Sequence, residues 1–192
     1  MDVGYDGAIM DFERVLRVVL EAFEHDRVRY GVLGGFALAA LGVPRTTMDI
    51  DFLIHRDDLP AVDRLLTGFG YVQRVRTENA SHYRHPDAGW GSIDLLHAFR
   101  HYSLDALDRT STHAVFGGTL QIKVLRPEDV IGFKVQAIAN NPLRVAKDAL
   151  DIETLMDFFR SRLDWNRVQE YYELFERGKE GRRLRERYAH VE

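Results

Sequence analysis

Residues 48–54 of the chain, MDIDFLI, decide the fold because they combine an apolar strand with two acidic residues. Asp49 and Asp51 are separated by a single residue, and the other positions are apolar. Successive side chains of a β-strand point to opposite faces. Both aspartates therefore project from one face, while the alternate apolar residues pack on the other. Two adjacent carboxylates repel each other unless a cation lies between them, and Mg²⁺ is the usual one. The segment therefore indicates a strand that carries a metal site.

A third aspartate, Asp94, interrupts a second apolar strand with the sequence SIDLL, residues 92–96. If Asp49 and Asp51 are considered alone, a position at the end of a strand explains them equally well. Asp94 could likewise do no more than cap a neighbouring element. Burying an unpaired charge is costly, however, so three aspartates within apolar strands favour a site over a core. Asp94 is accordingly the third candidate ligand.

A pair of glycines precedes this segment. An apolar strand at residues 30–33 runs into Gly34-Gly35 and then into an alanine-rich helical segment at residues 36–41. Glycine lets the backbone approach a ligand closely, and the first N–H groups of a helix favour an anion. A glycine pair alone is more often a tight turn. Beside three carboxylates that hold metal ions, it predicts a site for a nucleoside triphosphate.

These motifs resemble those of a known superfamily. The segments GGFALAA (34–40), PRTT (44–47) and MDIDFLI (48–54) are similar to the signature of the DNA polymerase β-like nucleotidyltransferases. The resemblance is greatest to the branch that contains the AbiE-type (AbiEii) abortive-infection toxins and the minimal nucleotidyltransferases. It implies a glycine turn for the triphosphate at Gly34 and Gly35. It also implies two Mg²⁺ ions held by three carboxylates, namely Asp49, Asp51 and Asp94.

The chain departs from that signature at one position. Many superfamily members have serine after the first glycine, whereas this chain has Gly35, which removes one phosphate contact. Three residues just ahead of the aspartates are candidates to replace that contact: Arg45, Thr46 and Thr47.

The C-terminal third adds further candidates. In the predicted helix at 128–139, Lys134 falls within the apolar stripe, where it either extends its ammonium to water or reaches the phosphates. The segment RVAKDALDI (144–152) resembles the helical motif of the same toxin branch, which makes Lys147 and Asp148 candidates for nucleotide contact. An ion pair that ties the two halves of the chain together explains these two residues nearly as well.

Periodicity predicts an α/β (α+β) fold, with a nucleotidyltransferase-like mixed β-sheet flanked by helices in residues 1–125 and a C-terminal helical bundle in residues 126–192. Predicted helices lie at 11–27, 36–41 and 59–69, and predicted strands at 30–33, 49–54, 71–76, 81–85, 92–96, 112–116 and 119–125. Beyond residue 126 the pattern is helical, with breaks near 140–142, 163–164 and 178.

Composition excludes several classes of function. The chain has 192 residues, 45% of them hydrophobic, which is enough for one domain with an appendage. The lack of cysteine excludes disulfides, thiolate metal sites and cysteine nucleophiles. No apolar run approaches the roughly 18 residues of a membrane span, and the first residues lack a secretion signal. We therefore expect a cytoplasmic protein without a membrane partner.

The net charge of −4 argues against nonspecific coating of nucleic acid, but the charge is uneven. Residues 177–187 contain six cations and two acids, a net +4, which leaves −8 for the rest. This basic tail modestly favours an RNA acceptor, although a solvated amphipathic helix explains it equally. Zinc is not favoured, because neither of two histidine pairs aligns in its predicted element: His82 with His85, and His97 with His101.

The expected activity is transfer of a nucleoside monophosphate from an NTP, with ATP among the candidates, to an acceptor hydroxyl. The resemblance implies a toxin of a toxin–antitoxin or abortive-infection system that acts on tRNA, with a cognate antitoxin as a candidate partner. Three alternatives stay open: a protein or small-molecule (antibiotic) acceptor, a noncatalytic regulatory binding module, and a metal-dependent hydrolase that uses water.

Overall fold

A computed structural model describes residues 10–189, so residues 1–9 and 190–192 of the predicted domains lie outside the described range. The chain divides into two compact units. Unit 1 comprises the chain up to Ala40 together with Pro44–Val124, and unit 2 comprises Leu41–Val43 together with the chain from Leu125.

Unit 1 is built on one mixed sheet. Its strands are β1 (Tyr30–Leu33), β2 (Asp49–His55), β3 (Val72–Arg76), β4 (Ala80–Arg84), β5 (Ser92–Ala98), β6 (Ser111–Val115) and β7 (Leu120–Val124). Its α-helices are α1 (Phe12–His25), α2 (Gly34–Ala40), α3 (Leu59–Gly68) and α4 (His101–Asp108). The strand order is β3-β4-β5-β2-β1-β7-β6. Strand β2 runs parallel to β5 and antiparallel to β1, and β1 runs parallel to β7. The predicted mixed sheet with flanking helices is confirmed.

One face of this sheet is covered by helices. In β2, Ile50, Phe52 and Ile54 are fully buried on this face. On the other face Asp49, Asp51 and His55 are half-buried and Leu53 is fully buried. Helix α1 presents its apolar stripe to this core, and the ring of Phe23 meets the ring of Phe52 edge-on at 5.4 Å. Helix α3 covers the same face, because Asp63 accepts a hydrogen bond from the hydroxyl of the buried Tyr83. The opposite face carries the polar residues of β2.

Unit 2 is a set of four helices: α5 (Pro127–Asn140), α6 (Val145–Phe159), α7 (Trp165–Leu174) and α8 (Gly178–Tyr188). The predicted breaks have local causes. Asn141 leaves the helical region at the end of α5, and the Asp164 carboxylate caps α7 by accepting from the N–H groups of Asn166 and Arg167, both at 3.1 Å. Helix α5 approaches α7 so closely that a Cβ at Gly132 would overlap the ring of Tyr171. Across residues 10–189, no helix is both long and apolar enough to span a bilayer.

Several charged residues of unit 2 are either buried within it or paired on its surface. In α6, Val145 is 42% exposed, whereas Asp148 and Asp151 are buried. The basic tail forms α8, and four of its six cations contact groups of the same unit: Arg177 with Glu180, Arg182 with Glu173, Arg185 with Asn166, and Arg187 with Glu153. These contacts favour the interpretation of the tail as a solvated surface helix.

A buried histidine lies in the core of unit 1. His97 of β5 is 6% exposed, and its Nδ1 lies 2.9 Å from the carbonyl oxygen of Glu78 while its Nε2 lies 2.9 Å from the hydroxyl of Ser81. Because a carbonyl only accepts, Nδ1 carries the hydrogen and Nε2 accepts from Ser81, which fixes the neutral tautomer. Burial lowers the pKa of His97.

We expect His97 to make stability fall in mild acid. A lowered folded pKa means that the folded state binds fewer protons than the unfolded state. The stability that the neutral ring provides is therefore complete above the unfolded pKa of about 6.5 and declines as the pH falls through that value. Urea unfolding at pH 8 and pH 5.5 should show a smaller loss for His97→Gln than for the wild type. His101→Gln, at a side chain that is 93% exposed, is the control; equal losses in all three proteins would contradict this assignment.

Candidate active site

Three aspartates share the open face of the sheet. Strands β2 and β5 are parallel neighbours whose register pairs Asp51 with Asp94 and Asp49 with Ser92. Paired residues on neighbouring strands point to the same face, so the carboxylates of Asp49, Asp51 and Asp94 all lie on the side opposite to α1 and α3. All three residues are half-buried. The structure therefore places on one face of the sheet the three aspartates that the sequence singles out.

Two of these carboxylates have defined polar neighbours. The hydroxyl of Thr47 donates to Oδ1 of Asp49 at 2.7 Å. On the other side, Nδ1 of His82 in β4 hydrogen-bonds Oδ1 of Asp94, its partner in the β4–β5 register. Within the described part of the chain, no three histidine, aspartate or glutamate side chains are already gathered as a metal cage. The aspartates thus share a face while two of them are held by a hydroxyl and an imidazole.

The glycine turn lies directly against this face. Gly34 has a φ of +70°, a conformation that favours glycine, and a Cβ at this position would overlap the carboxylate of Asp51. A Cβ at Gly35 would lie 2.7 Å from the Cβ of Thr47. The backbone at the end of β1 therefore approaches both the carboxylate of Asp51 and the threonine that contacts Asp49, which no larger residue would permit without displacement.

The loop ahead of β2 places its candidate residues differently. Thr47 is half-buried between Gly35 and Asp49. Arg45 is half-buried, and Thr46 is exposed. Thr47 is thus the member of this group that the structure places against both the glycine turn and the carboxylates.

Two of the candidate nucleotide-contacting residues of unit 2, Lys134 and Asp148, form an ion pair with each other. Lys134 is 9% exposed, and its ammonium donates to Asp148 at 3.0 Å and to Asp151 at 2.7 Å. Arg144 donates to the other oxygen of Asp148 at 2.7 Å. Burial alone would raise the pKa of Asp148, but hydrogen bonds from Arg144 and Lys134 lower it overall. Lys147 is exposed.

Asp148 therefore forms ion pairs, but not with Lys147. Asp148 pairs with Lys134 and Arg144 inside unit 2, rather than joining Lys147 in a link between the two halves of the chain. Contact of Lys134, Lys147 or Asp148 with a nucleotide stays a prediction.

His82 is the neighbour of the site whose position the sequence did not reveal. The sequence presents it only as a member of a histidine pair that does not favour zinc. The signal that identifies it is its register opposite Asp94, which depends on strand pairing. The other histidines are elsewhere: His85 bonds the carbonyl of Phe69, and His97 is buried on the helix-covered face. Neither pair suggested by spacing shares an environment.

Removal of Lys134 should destabilise unit 2 strongly, because it leaves two buried aspartates without their shared cation. We expect Lys134→Met to lower the free energy of unfolding by about 3–5 kcal/mol in urea titrations. Lys147→Met removes the same charge from an exposed position and should change it by less than about 0.5 kcal/mol. Similar values for the two variants would exclude a structural role for the Lys134 cluster.

Alanine at position 34 should be far more costly than at another glycine of the same conformation. Gly117 has a φ of +66°, but a Cβ there would meet no atom within 4 Å. We expect Gly117→Ala to cost about 1 kcal/mol of unfolding free energy, and Gly34→Ala about 3 kcal/mol or more, because it must also displace the carboxylate of Asp51. Urea unfolding measures both, and equal costs would show that Asp51 does not occupy that space.

Comparisons with known proteins agree with this architecture. The chain is similar to the solution structure of the antibiotic-resistance factor ANT(2'')-Ia, with a TM-score of 0.64 and 15% identity over 95% of this chain and 100% of that one. It is similar to the lincosamide antibiotic adenylyltransferase LnuA bound to lincomycin, with a TM-score of 0.52 and 19% identity over 74% and 95% of the two chains.

A third similar structure is an antigenic nucleotidyltransferase-like protein from Paracoccidioides brasiliensis, with a TM-score of 0.50 and 18% identity over 92% and 93% of the two chains. At these identities the likeness concerns the fold. None of the curated proteins compared matches the chain significantly. A family model described as an uncharacterised nucleotidyltransferase matches residues 10–177, which is most of the chain. The chain therefore belongs to this nucleotidyltransferase family and is an enzyme of that type.

Proposed function

We propose that the enzyme uses Mg²⁺ to transfer a nucleoside monophosphate from an NTP to an acceptor hydroxyl. The observation that carries this proposal is the register of β2 and β5, which sets Asp51 beside Asp94 and leaves Asp49 on the same face. The glycine turn at Gly34 touches the carboxylate of Asp51, so a triphosphate at the turn would lie next to the three aspartates.

The residues present fit magnesium. Carboxylate oxygens are hard ligands of the kind Mg²⁺ prefers, and the half-buried position of the three aspartates leaves them accessible. Asp49, Asp51 and Asp94 would hold the two ions. When bound, Mg²⁺ neutralises phosphate charge and favours ionisation of the attacking hydroxyl. Thr47 and His82 hydrogen-bond Asp49 and Asp94, so these two side chains are already oriented by neighbouring residues.

The transfer exchanges one phosphorus–oxygen bond for another. The acceptor oxygen forms a bond to the α-phosphorus and gives up its proton to water. The bond from that phosphorus to the bridging oxygen breaks, and pyrophosphate leaves with the bonding electrons. Asp94 is best placed to orient the acceptor hydroxyl, because it is the aspartate farthest from the glycine turn in the strand order. The turn at Gly34 and Gly35 would hold the triphosphate, with Arg45, Thr46 and Thr47 as further candidates.

For the acceptor, we infer tRNA and a toxin of the AbiE-type branch, with an antitoxin as a candidate partner. The support is the motif at residues 144–152, which forms the start of α6 and follows a helix with the single lysine Lys134, in the order typical of that branch. A small-molecule acceptor is the second candidate. It is favoured by the likeness in fold to an antibiotic-resistance factor and to an antibiotic adenylyltransferase.

The test is to offer each of the four α-labelled NTPs with Mg²⁺, total RNA and cell lysate, and to ask what becomes labelled. We expect label on tRNA with release of pyrophosphate, and a loss of about 10³-fold or more in the Asp49→Asn/Asp51→Asn variant, because the principal electrostatic groups are gone. Arg109→Gln serves as a control outside the site.

Each other outcome is informative. Label on an aminoglycoside or a lincosamide instead of tRNA would establish the small-molecule alternative, and labelled NMP without an acceptor would indicate a hydrolase. Unchanged transfer in the double asparagine variant would overturn the proposal. Growth arrest on expression of the wild type, absent with that variant, is expected of a toxin.

A further inference from the structure

The open face of the sheet continues beyond the carboxylates onto β4 and β3. The strand registers define two rows of side chains: Asp51, Asp94, His82 and Val75 in the first, and Asp49, Ser92, Arg84 and Val72 in the second. The outer half of these rows, which consists of Val72, Val75, His82 and Arg84, is called the β3–β4 strip below. It begins directly beside Asp94, the aspartate that would orient the acceptor.

The strip is accessible and carries no carboxylate. Val72 is 44% exposed and Val75 is 53% exposed, Arg84 is exposed, and the side chain of His82 is 36% exposed. The two valines occupy neighbouring rows of this face. Here they flank one cation and one aromatic ring. This combination suits a ligand with a negative charge and a flat apolar surface.

We propose that the β3–β4 strip binds the acceptor, and that the acceptor is the 3′ end of an RNA strand. The inference rests on the proposed function, because it assumes that the acceptor hydroxyl lies at Asp94. Arg84 is two residues beyond the partner of Asp94 on the next strand, which places their Cα atoms about 8 Å apart. A terminal 3′-hydroxyl at Asp94 brings the nearest backbone phosphate within reach of the Arg84 guanidinium.

The remaining residues of the strip match the rest of a terminal nucleotide. Arginine recognises phosphate through paired N–H groups, and imidazole rings and aliphatic side chains contact unstacked bases. His82 also holds Asp94, so it acts as a positioning residue for the carboxylate as well as a contact. A polycationic aminoglycoside would meet the charge of Arg84 unfavourably. The positive charge of the strip is therefore complementary to an RNA phosphate.

The experiment measures binding of a total tRNA fraction without NTP, at several salt concentrations, to the full-length protein and to three variants. Arg84→Gln should weaken binding about three- to tenfold at 0.1 M salt and reduce the slope of log affinity against log salt by about 0.7–1, the effect of one phosphate contact. Arg84→Glu should weaken binding further.

Arg64→Gln is the matched control. Arg64 is 69% exposed and lies on α3, on the covered side of the sheet, so its loss removes the same charge from the other face. Its affinity and salt slope should equal those of the wild type. Circular dichroism and thermal unfolding confirm that each variant is folded. Equal binding of tRNA by both Arg84 variants and the wild type would overturn the proposal, as would wild-type binding of tobramycin but not of tRNA.

Failure of the proposed RNA-binding strip can be distinguished from failure of the proposed transfer reaction. If no NTP labels any acceptor while tRNA binding still depends on Arg84, transfer is wrong and the strip stands as an RNA-binding surface. If tRNA is labelled and the Arg84 variants have the wild-type KM for tRNA and the wild-type kcat, the transfer reaction stands and the strip does not bind the acceptor.

Discussion

Repulsion among the carboxylates of Asp49, Asp51 and Asp94 is the constraint on which the arrangement of unit 1 depends. Three aspartates on one face stay together only if the strands that carry them are fixed from behind. The other face of β2 provides this, because Ile50 and Phe52 are completely buried against the helices. The lack of a side chain on Gly34 gives the carboxylate of Asp51 its space. Packing on one face thus fixes the positions of the three aspartates on the other, where a bound cation would reduce their mutual repulsion.

In unit 2, by contrast, the buried aspartates are paired with cations of the protein itself. Asp148 and Asp151 share the ammonium of Lys134, and Asp129 accepts from Arg167 at 3.3 Å. The protein's own cations neutralise these carboxylates, and such buried pairs hold helices in place. Asp49 and Asp94 instead hydrogen-bond a hydroxyl and an imidazole. Pairing with the protein's own cations therefore marks the aspartate cluster of unit 2 as structural, which burial alone does not.

The parts of the structure that sequence predicted well are those with local causes. The alternation of Asp49 to Ile54 fixed the faces of β2, and Gly34 marked a turn that only glycine fits. Features set by distant contacts were missed. The short helix α4 has little periodicity and begins where Ser103 accepts from the N–H of Arg100. Lys134 looked available for phosphates because its partners are 14 and 17 residues away, and His82 looked isolated because strand pairing brings it to Asp94.

The distribution of charge between the units bears on how any nucleic acid would be attracted. Unit 2 contains 13 basic and 13 acidic residues, so the net −4 of the chain belongs to unit 1 and the basic tail is balanced within its own unit. Long-range attraction from the tail is weak for this reason, because charges that pair locally contribute little beyond a Debye length. An anionic acceptor must then be held by individual cations at the site. Arg84, two residues from the partner of Asp94, is in the position that this requires.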